Sequence, residues 1–486
     1  MLPTTIGLFV VIVGALLLAI GSSAAMMSFL MLTSLMIGSA AIIMTALGAS
    51  SIPPAQLALG FLALRVLLPT PGSLARLGDA IKANAPLLVF VLYGIIGSYA
   101  LPRIFAGSMQ VPPLRFTGLT YIYAAVPLAP SSQNITTSVY MVGTLLIAIC
   151  VHAAIRTDAG PRYFLRTAVA LCWIHMILGV AGVALKGTPA DAFFQFFRNG
   201  NYAQLDQSYG GFIRLTGITP EPSAYSGFAF GWFVLMFESW LRGIWPRVTG
   251  ITAAAMGLLL VFSTSGLAYV GLGGYSLILM LRVLIPGSVL GRSMPYLLGA
   301  LLGGATLVAA VCLIVPALPT AFGDMFYHMT VDKGTSESGL QRAFWAKKGF
   351  EAFWVSHGLG IGPGSFRSSS LITAVLGSMG VIGAVTFVTY VLWVLKPLRN
   401  STYGATDDPM LGLGVAASWA ALGVLIPQAV GSPSADPGAN FAIFAAAALA
   451  LRARATSSRQ SVTAESWRAQ YHRYGLLREA RPVEGP

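Results

Sequence analysis

A cation and a carboxylate stand close together in the segment Arg214–Ser223, which separates two membrane-length apolar runs. Only 9% of the chain is charged, so Arg214 and Glu221 are conspicuous there. Thr219 is a good helix N-cap, and Pro220 suits the first helical position. The spacing then puts Glu221 in the first turn of a helix whose free N–H groups bind phosphate readily. Arg214 and Glu221 either form a capping ion pair at the membrane boundary or belong to an anion-binding site.

A second polar segment begins at Ser336 and continues as an amphipathic stretch. Its apolar positions recur at helical spacing and include Trp345, a pattern typical of a helix that lies on the outer surface of a membrane. Arg342 and Lys347 fall on other faces of this predicted helix, where they attract either a diphosphate or lipid headgroups. Arg342 is the stronger candidate, because a guanidinium group binds phosphate through two parallel hydrogen bonds.

Glycines alternate through the segment His357–Arg367. No strand is predicted before this segment and no βαβ unit surrounds it, which argues against a dinucleotide-binding fingerprint. The pattern predicts a tight turn whose backbone N–H groups approach an anion, with Arg367 beside it. His357 is either a general base or a structural, solvent-facing residue. No pair of histidines has metal-ligand spacing, so no metal site is expected.

The elements that must position these residues are membrane helices, because 56% of the 486 residues are hydrophobic. Apolar runs of about 17–25 residues recur along nearly the whole chain, and each is long enough to cross a ~30 Å hydrocarbon core. The pattern predicts an all-α, polytopic membrane bundle of about 12–13 transmembrane helices. The predicted spans are 5–21, 24–48, 53–69, 85–102, 136–155, 164–186, 221–242, 247–263, 266–285, 295–318, 371–396, 410–430 and 438–452.

Basic residues in the short loops between alternate spans are expected on the cytoplasmic side. This alternation places three longer segments, 103–135, 187–220 and 319–370, on the opposite face. The last two are rich in aromatic residues, so they are expected to pack over the membrane surface, to include short amphipathic helices and to build a site there. Residues 1–452 are therefore predicted to form the transmembrane domain, and 453–486 a basic cytoplasmic tail near anionic lipid headgroups.

Composition also excludes several classes of function. The net charge of +13 is spread over short loops and the tail, a distribution that does not indicate nucleic-acid binding. Cys150, Cys172 and Cys312 lie inside or at the ends of apolar runs and provide no disulfide framework. No acidic relay crosses the predicted bundle, which weakens the case for a proton- or sodium-coupled transporter.

Several short motifs follow one another in order along the chain. They are Arg214-x-x-Gly217 with Glu221-Pro222-Ser223, then Ser263-Thr264-Ser265, then Arg342, Trp345 and Gly360–Phe366, and finally Gly380-Val381-Ile382-Gly383. The ordered set resembles the O-antigen polymerase and O-antigen ligase superfamily of bacterial envelope glycan assembly. The similarity covers most of residues 140–450 in order and spacing.

The resemblance implies a GT-C-like glycosyltransferase in the bacterial inner membrane, with its active site facing the periplasm. Its substrates would be oligosaccharide repeat units of an exopolysaccharide or O-antigen, carried on undecaprenyl diphosphate. No cofactor and no metal would be needed. Membrane lipids, a chain-length regulator and a flippase of the same pathway would be its further partners, and nucleic acid would not be one.

The resemblance also implies roles for individual residues. The donor diphosphate would be bound by Arg214, Arg342 and Arg367. The general base is left open: Glu221 or His357 would serve, or departure of the diphosphate would drive the step with little help from a base. Sugar or lipid would be contacted by Tyr225, Trp345, Lys347 and Ser369.

One departure from the family pattern bears on the reaction. Ligases of this family carry a histidine and a following polar residue, and after nine more residues a Gly-x-x-Gly motif. The matching positions here are Ser369-Ser370 before Gly380-Val381-Ile382-Gly383, so Ser369 replaces the histidine. This replacement favours a repeat-unit polymerase. A ligase that transfers polymer to another acceptor and a flippase of lipid-linked sugars are the alternatives.

Overall fold

The fold consists of helices joined by short strands and turns. A computed structural model describes residues 2–44, 50–114, 123–200, 208–209, 212–291 and 334–461, with isolated positions between 294 and 327. The first helices are α1 (Thr5–Ile20), α2 (Ser23–Thr33), α3 (Pro54–Leu67), α4 (Ser73–Ala83), α5 (Ala85–Ile104), α6 (Ser132–Ile155), α7 (Gly160–Ala184) and α8 (Asp191–Phe197). The later ones are α9 (Pro222–Leu241), α10 (Pro246–Phe262), α11 (Gly266–Val283), α12 (Glu337–Val355), α13 (Leu371–Leu395), α14 (Pro409–Gly431) and α15 (Gly438–Ser461).

The strands are short and pair locally. The antiparallel sheet near the start of the chain has the order β1 (Leu2–Pro3), β2 (Ile42–Met44) and β3 (Ser50–Ile52). Two further antiparallel pairs are β4 (Gln110–Val111) with β5 (Val126–Pro127) and β6 (Ser208–Tyr209) with β7 (Phe212–Ile213). The described residues therefore form an all-α bundle with small β elements in its loops.

Six of the described helices are long and apolar enough to cross a membrane: α5, α6, α7, α11, α13 and α14. The shorter helices α1, α2, α3 and α10 are also apolar. Helices suit these sequences because a helix satisfies all of its backbone hydrogen bonds internally, as a bilayer interior requires. The prediction of an all-α membrane bundle is confirmed at this level.

Two of the predicted spans are not confirmed: one is wrong, and the other falls on residues that the structure describes only at isolated positions. The prediction of one helix over 24–48 is wrong, because α2 ends at Thr33 and the chain then enters β2. The cause is contact with a distant segment: Ser39 Oγ donates to the carbonyl oxygen of Phe197 at 2.5 Å, and the Ala40 N–H donates to Asn199 Oδ1 at 2.7 Å. The predicted span 295–318 and the region of the tail beyond 461, like Cys312, lie outside the described residues.

The core of the bundle is built around α6, α9, α14 and α15. In α6 and α14, 78% of the apolar stretch is buried, whereas α11 has 28% buried and exposes most of its surface. Gly231 of α9 faces Val424 and Phe444 closely, and the Trp232 ring meets the Phe444 ring at 4.5 Å between centroids. The last helix, α15, continues to Ser461, beyond the predicted end of the transmembrane domain at 452.

Helix α12 packs along the first part of α13, and the two run in the same direction. Near the start of α12, Ser369 Oγ donates to the carbonyl oxygen of Arg342 at 2.6 Å. Near its end, the Val381 N–H donates to the carbonyl oxygen of Gly358 at 2.8 Å. The chain therefore runs in one direction along α12, turns back through residues 356–370, and then runs in the first direction again as α13. The predicted helix is present and packs lengthwise on a neighbouring helix.

The alternating glycines bring this returning segment into backbone contact with its neighbours. At Gly362, where φ is +93°, a Cβ atom would lie 2.6 Å from the carbonyl oxygen of Gly97 in α5. The N–H groups of Ile361 and Gly362 donate to the carbonyl oxygens of Gly377 and Ser378 at 2.8 and 2.9 Å. These two N–H groups therefore bind the protein itself, so the predicted approach to an anion does not involve them.

The carbonyl groups that receive these bonds are exposed by a break in α13. Gly380 has φ +59° and ψ −151°, a conformation outside the helical region. A helix broken there leaves the preceding carbonyl groups without intrahelical donors. The segment His357–Arg367, which we call the glycine segment, supplies those donors. The Gly-x-x-Gly motif is thus the point at which α13 bends around the returning chain.

We expect Gly380→Ala to destabilise the protein by about 2–5 kcal/mol, because a side chain strains a positive φ and overpacks a close contact. The new Cβ would collide with the carbonyl group of Gly358. The melting temperature of the purified protein in detergent measures the effect. The matched control is Gly60→Ala in α3, where a Cβ atom meets nothing within 4 Å. Equal melting temperatures for the two variants would contradict this account of the kink.

Candidate functional site

The site is organised around the N-terminus of α9. The helix begins at Pro222, and its N-cap is Glu221, whose φ of −159° and ψ of 162° are extended. The predicted N-cap, Thr219, instead donates from Oγ1 to the carbonyl oxygen of Thr216 at 2.7 Å. The reason is local sterics, since a residue that precedes proline is pushed out of the helical region. Glu221 consequently stands at the positive end of the helix dipole.

Arg214 is held beside this helix end by the turn between α10 and α11. Its Nη2 donates to the carbonyl oxygen of Thr264 at 2.9 Å, and its Nε donates to Thr264 Oγ1 at 3.3 Å. Thr264 has φ +54°, which is rare for a β-branched residue and costs about 1–3 kcal/mol. The strained turn thus directs its carbonyl group at Arg214 and fixes the guanidinium group.

The pKa of Arg214 reveals which charges surround it. Burial lowers this pKa, the nearby Glu221 carboxylate and Tyr269 hydroxyl raise it, and the Arg342 guanidinium lowers it. An arginine guanidinium group whose pKa is lowered by partial burial stays protonated at neutral pH. Arg342 belongs to α12 and Arg214 to the loop before α9, so two distant segments place like charges within electrostatic range of each other.

Arg367 completes the cluster from a third segment. Its guanidinium carbon lies 4.5 Å from the centre of the Trp345 ring, and its backbone N–H donates to the carbonyl oxygen of Pro112 at 2.8 Å. Burial lowers the pKa of Arg367, Glu221 raises it, and Arg342 lowers it. Its Nε is buried and has no hydrogen-bond partner. The same carboxylate and the same arginine therefore act on both Arg214 and Arg367.

We call Arg214, Arg342, Arg367 and Glu221 the arginine cluster. Glu221 and Arg342 each lie within electrostatic range of Arg214 and Arg367, and the four side chains together carry an excess of two positive charges. One oxygen of Glu221 already accepts a hydrogen bond from Ser223 Oγ. Such a cluster beside a helix N-terminus suits an anion with two or more negative charges, such as a diphosphate.

Other predicted site residues have supporting positions. Trp345 stacks on Arg367, and Ser369 holds the backbone of α12 at Arg342. Neither contact requires a substrate. Both residues orient arginines of the cluster. The sequence predicts them as contacts for sugar or lipid and does not predict this second role.

The remaining predicted site residues lie apart from the cluster. Tyr225 is 1% exposed and stacks on His175 at 4.0 Å, so it is not available for contact with a sugar or with lipid. His357 is exposed just beyond the end of α12, roughly 20 Å along the helix from Arg342. Lys347 is exposed on α12. Of the two candidate bases, only Glu221 lies with the arginines.

Two residues near the cluster were not singled out from the sequence as site residues. Thr264 binds Arg214 directly, and Tyr269 of α11 lies close enough for its hydroxyl to affect the pKa of Arg214. The Ser263-Thr264-Ser265 motif signalled the position of the turn. Its left-handed backbone at Thr264 has no sequence signature, because left-handed positions normally favour Gly, Asn or Asp.

No group of three or more His, Cys, Asp or Glu side chains in the described part of the chain could hold a metal ion. Cys150 and Cys172 are buried free thiols. The chain matches no protein-family model and no curated protein. The function must therefore be inferred from the geometry of the arginine cluster and from the motifs that resemble those of a known family.

Proposed function

We propose that this chain is a membrane glycosyltransferase that polymerises oligosaccharide repeat units carried on undecaprenyl diphosphate. The observation that carries the proposal is the arginine cluster, in which Glu221 at a helix N-terminus and Arg342 both lie within electrostatic range of Arg214 and Arg367. A diphosphate leaving group matches the excess positive charge. The motif order that resembles the O-antigen polymerase and ligase superfamily supplies the substrate class.

In the proposed reaction, the acceptor sugar hydroxyl attacks the anomeric carbon of the donor. The new glycosidic bond forms as the bond between that carbon and the diphosphate oxygen breaks, and undecaprenyl diphosphate leaves with the bonding electrons. Arg214, Arg342 and Arg367 stabilise the charge that develops on this leaving group. Glu221 accepts the proton of the attacking hydroxyl. Three fixed guanidinium groups thus provide the electrostatic stabilisation.

The arrangement of the chain in its membrane is part of the proposal. We infer about 12–13 crossings and a GT-C-like architecture, with the cluster on the periplasmic face of the inner membrane and the basic tail on the cytoplasmic face. A flippase would deliver the lipid-linked repeat units to the periplasmic leaflet. A chain-length regulator is the further partner expected for a polymerase.

The position of Ser369 favours a polymerase over a ligase. Ligases of the similar family carry histidine at the matching position. Here the Ser369 hydroxyl donates to the carbonyl oxygen of Arg342 and holds α12 in place. This residue therefore has a structural role, and Glu221 is left as the general base.

The proposal is tested with purified protein in lipid nanodiscs, supplied with an undecaprenyl-diphosphate-linked repeat unit as the only sugar substrate. We expect a ladder of products that differ by one repeat unit, resolved by gel electrophoresis or mass spectrometry. Transfer only to an added lipid or protein acceptor would identify a ligase. Movement of the substrate across a vesicle membrane without any ladder would overturn the proposal in favour of a flippase.

A further inference from the structure

The loop Ser432–Pro437, between α14 and α15, carries a carboxyl group into the bundle. Thr144 Oγ1 donates to Asp436 Oδ1 at 2.7 Å. Thr144 lies midway along α6, so Asp436 stands about 18 Å from the beginning of that helix. This beginning of α6 touches the glycine segment, since Asn134 Nδ2 donates to Ser365 Oγ at 3.0 Å. The loop therefore descends from the end of the bundle that carries the glycine segment.

The same loop is joined directly to the arginine cluster. The N–H of Ser368, the residue after Arg367, donates to the carbonyl oxygen of Pro433 at 3.0 Å. Asp436 lies three positions after Pro433 in the chain, which limits the distance between them to roughly 11 Å. The backbone at Arg367 and the backbone at Asp436 are therefore separated by a distance comparable to the length of a short oligosaccharide.

Around Asp436, several oxygen atoms lack hydrogen-bond donors. Its Oδ1 accepts both described bonds, from Thr144 and from the Gly438 N–H, and Oδ2 has no partner among the described residues. Gln428 donates from Nε2 to the carbonyl oxygen of Pro437 at 3.0 Å, while its Oε1 is buried and has no partner in the described part of the chain. Asn440 Oδ1, in the first turn of α15, is likewise buried and accepts no hydrogen bond from a described residue.

Unpaired buried acceptors cost about 1–3 kcal/mol each, so a site of this kind is stabilised by any ligand that brings hydrogen-bond donors. Sugar hydroxyl groups are such donors, because each carries one O–H and two lone pairs. A phosphate group would be repelled by the carboxylate. The chemistry of the loop is therefore complementary to the chemistry of the arginine cluster.

We propose that Asp436, Gln428 and Asn440 form the subsite that holds the hydroxyl groups of the acceptor glycan. The inference rests on the proposed function and deepens it, because it assigns the donor diphosphate and the acceptor sugar to two separate subsites. The arginine cluster takes the diphosphate of the donor, and the loop Ser432–Pro437 takes uncharged sugar. Asp436 forms a charge-assisted hydrogen bond to a glycan hydroxyl and thereby positions the acceptor.

Asp436→Asn tests the subsite, since it removes the negative charge and keeps the oxygen that accepts from Thr144. Transfer is measured in nanodiscs with saturating lipid-linked donor and increasing concentrations of the repeat-unit oligosaccharide as soluble acceptor. We expect KM for the acceptor to rise at least tenfold, with KM for the donor unchanged. Asp158→Asn is the matched control, because the Asp158 side chain is 97% exposed and pairs only weakly with Arg454 at 3.4 Å. An unchanged acceptor KM, or equal increases for donor and acceptor, would overturn the proposal.

Two binding measurements separate this inference from the proposed function. The first compares binding of sugar-free undecaprenyl diphosphate to wild type and to Asp436→Asn, and we expect equal affinity. The second measures direct binding of the repeat-unit oligosaccharide, which we expect only wild type to bind well. If wild type binds this oligosaccharide independently of Asp436 or not at all, the subsite is refuted even where polymerisation is observed. Stabilisation by sodium chloride but not choline chloride, lost in Asp436→Asn with an unchanged acceptor KM, would identify a cation site instead.

Discussion

Arg214→Ala is expected to lower the rate of repeat-unit polymerisation by about 10²–10³-fold, the loss typical for removal of one preorganised donor to a developing oxyanion. The arginine lies within electrostatic range of Glu221 and Arg342 and is fixed by Thr264. Alanine leaves the diphosphate with less charge compensation in the transition state. The rate of ladder formation in nanodiscs provides the measurement, with donor concentration varied so that kcat and KM are resolved.

The control for this variant is Arg103→Ala, which removes an arginine from the segment 103–135, predicted to lie on the same face as Arg214. Arg103 is exposed at the end of α5 and lies outside the arginine cluster. We expect it to retain near-normal activity. Arg214→Lys should recover only part of the rate, because an ammonium group cannot form two parallel hydrogen bonds to phosphate. Full activity in Arg214→Ala, or equal losses in Arg214→Ala and Arg103→Ala, would remove the arginine cluster from the mechanism.

The helical fold was predictable because bilayer thickness constrains the length of an apolar run. Runs such as 371–396 and 410–430 match α13 and α14 to within one residue at each end. The run 24–48 was misassigned because its polarity barely changes where α2 ends. Its break depends on Asn199 and Phe197, which lie about 160 residues away in the chain. A contact of that kind has no local signature.

The arginines of the candidate site were predictable for a different reason. In a chain that is 9% charged, an arginine close to an apolar run is already a rare event. Their convergence was not derivable from spacing, because Arg214, Arg342 and Arg367 come from separate segments. The resemblance supplied that expectation, and the structure brings Arg342 within electrostatic range of both Arg214 and Arg367.

Side-chain direction was the part that sequence reasoning handled least well. Tyr225 lies one turn beyond Glu221, a position compatible with either the site or the interior. Its direction is decided by α7, where the His175 ring and backbone carbonyl group receive the tyrosine. The glycine segment shows the same limitation, since its N–H groups look free in sequence and are bound by α13 in the fold. Tertiary partners, which local patterns do not encode, settle both cases.

The far end of α9 carries a buried ion network whose charge balance should matter for the stability of the protein. Glu238 lies about 25 Å along the helix from Glu221 and is fully buried. Its carboxylate pairs with Arg242 and with Arg282, and it accepts a hydrogen bond from the Tyr275 hydroxyl. The Arg282 guanidinium group also lies 4.0 Å from the centre of the Trp419 ring. Helices α9, α11 and α14 are thus joined around a single carboxylate.

Glu238→Gln is expected to destabilise the protein by about 3–5 kcal/mol, because it leaves two buried guanidinium groups without a counter-charge. The melting temperature in detergent should fall by several degrees, while sugar-free undecaprenyl diphosphate should still bind to the protein that remains folded. The control is Glu351→Gln, which breaks a partly exposed pair with Lys348 and should cost no more than about 1 kcal/mol.

A second variant separates loss of charge balance from loss of shape. Replacing Glu238, Arg242 and Arg282 together by Leu, Met and Met removes every charge of the network while nearly conserving its volume. This triple variant should be more stable than Glu238→Gln, because well-packed apolar residues often replace a buried ion network at little cost. If the triple variant is the less stable of the two, the network contributes through its specific hydrogen bonds, and the cost assigned to unbalanced charge in Glu238→Gln would be contradicted.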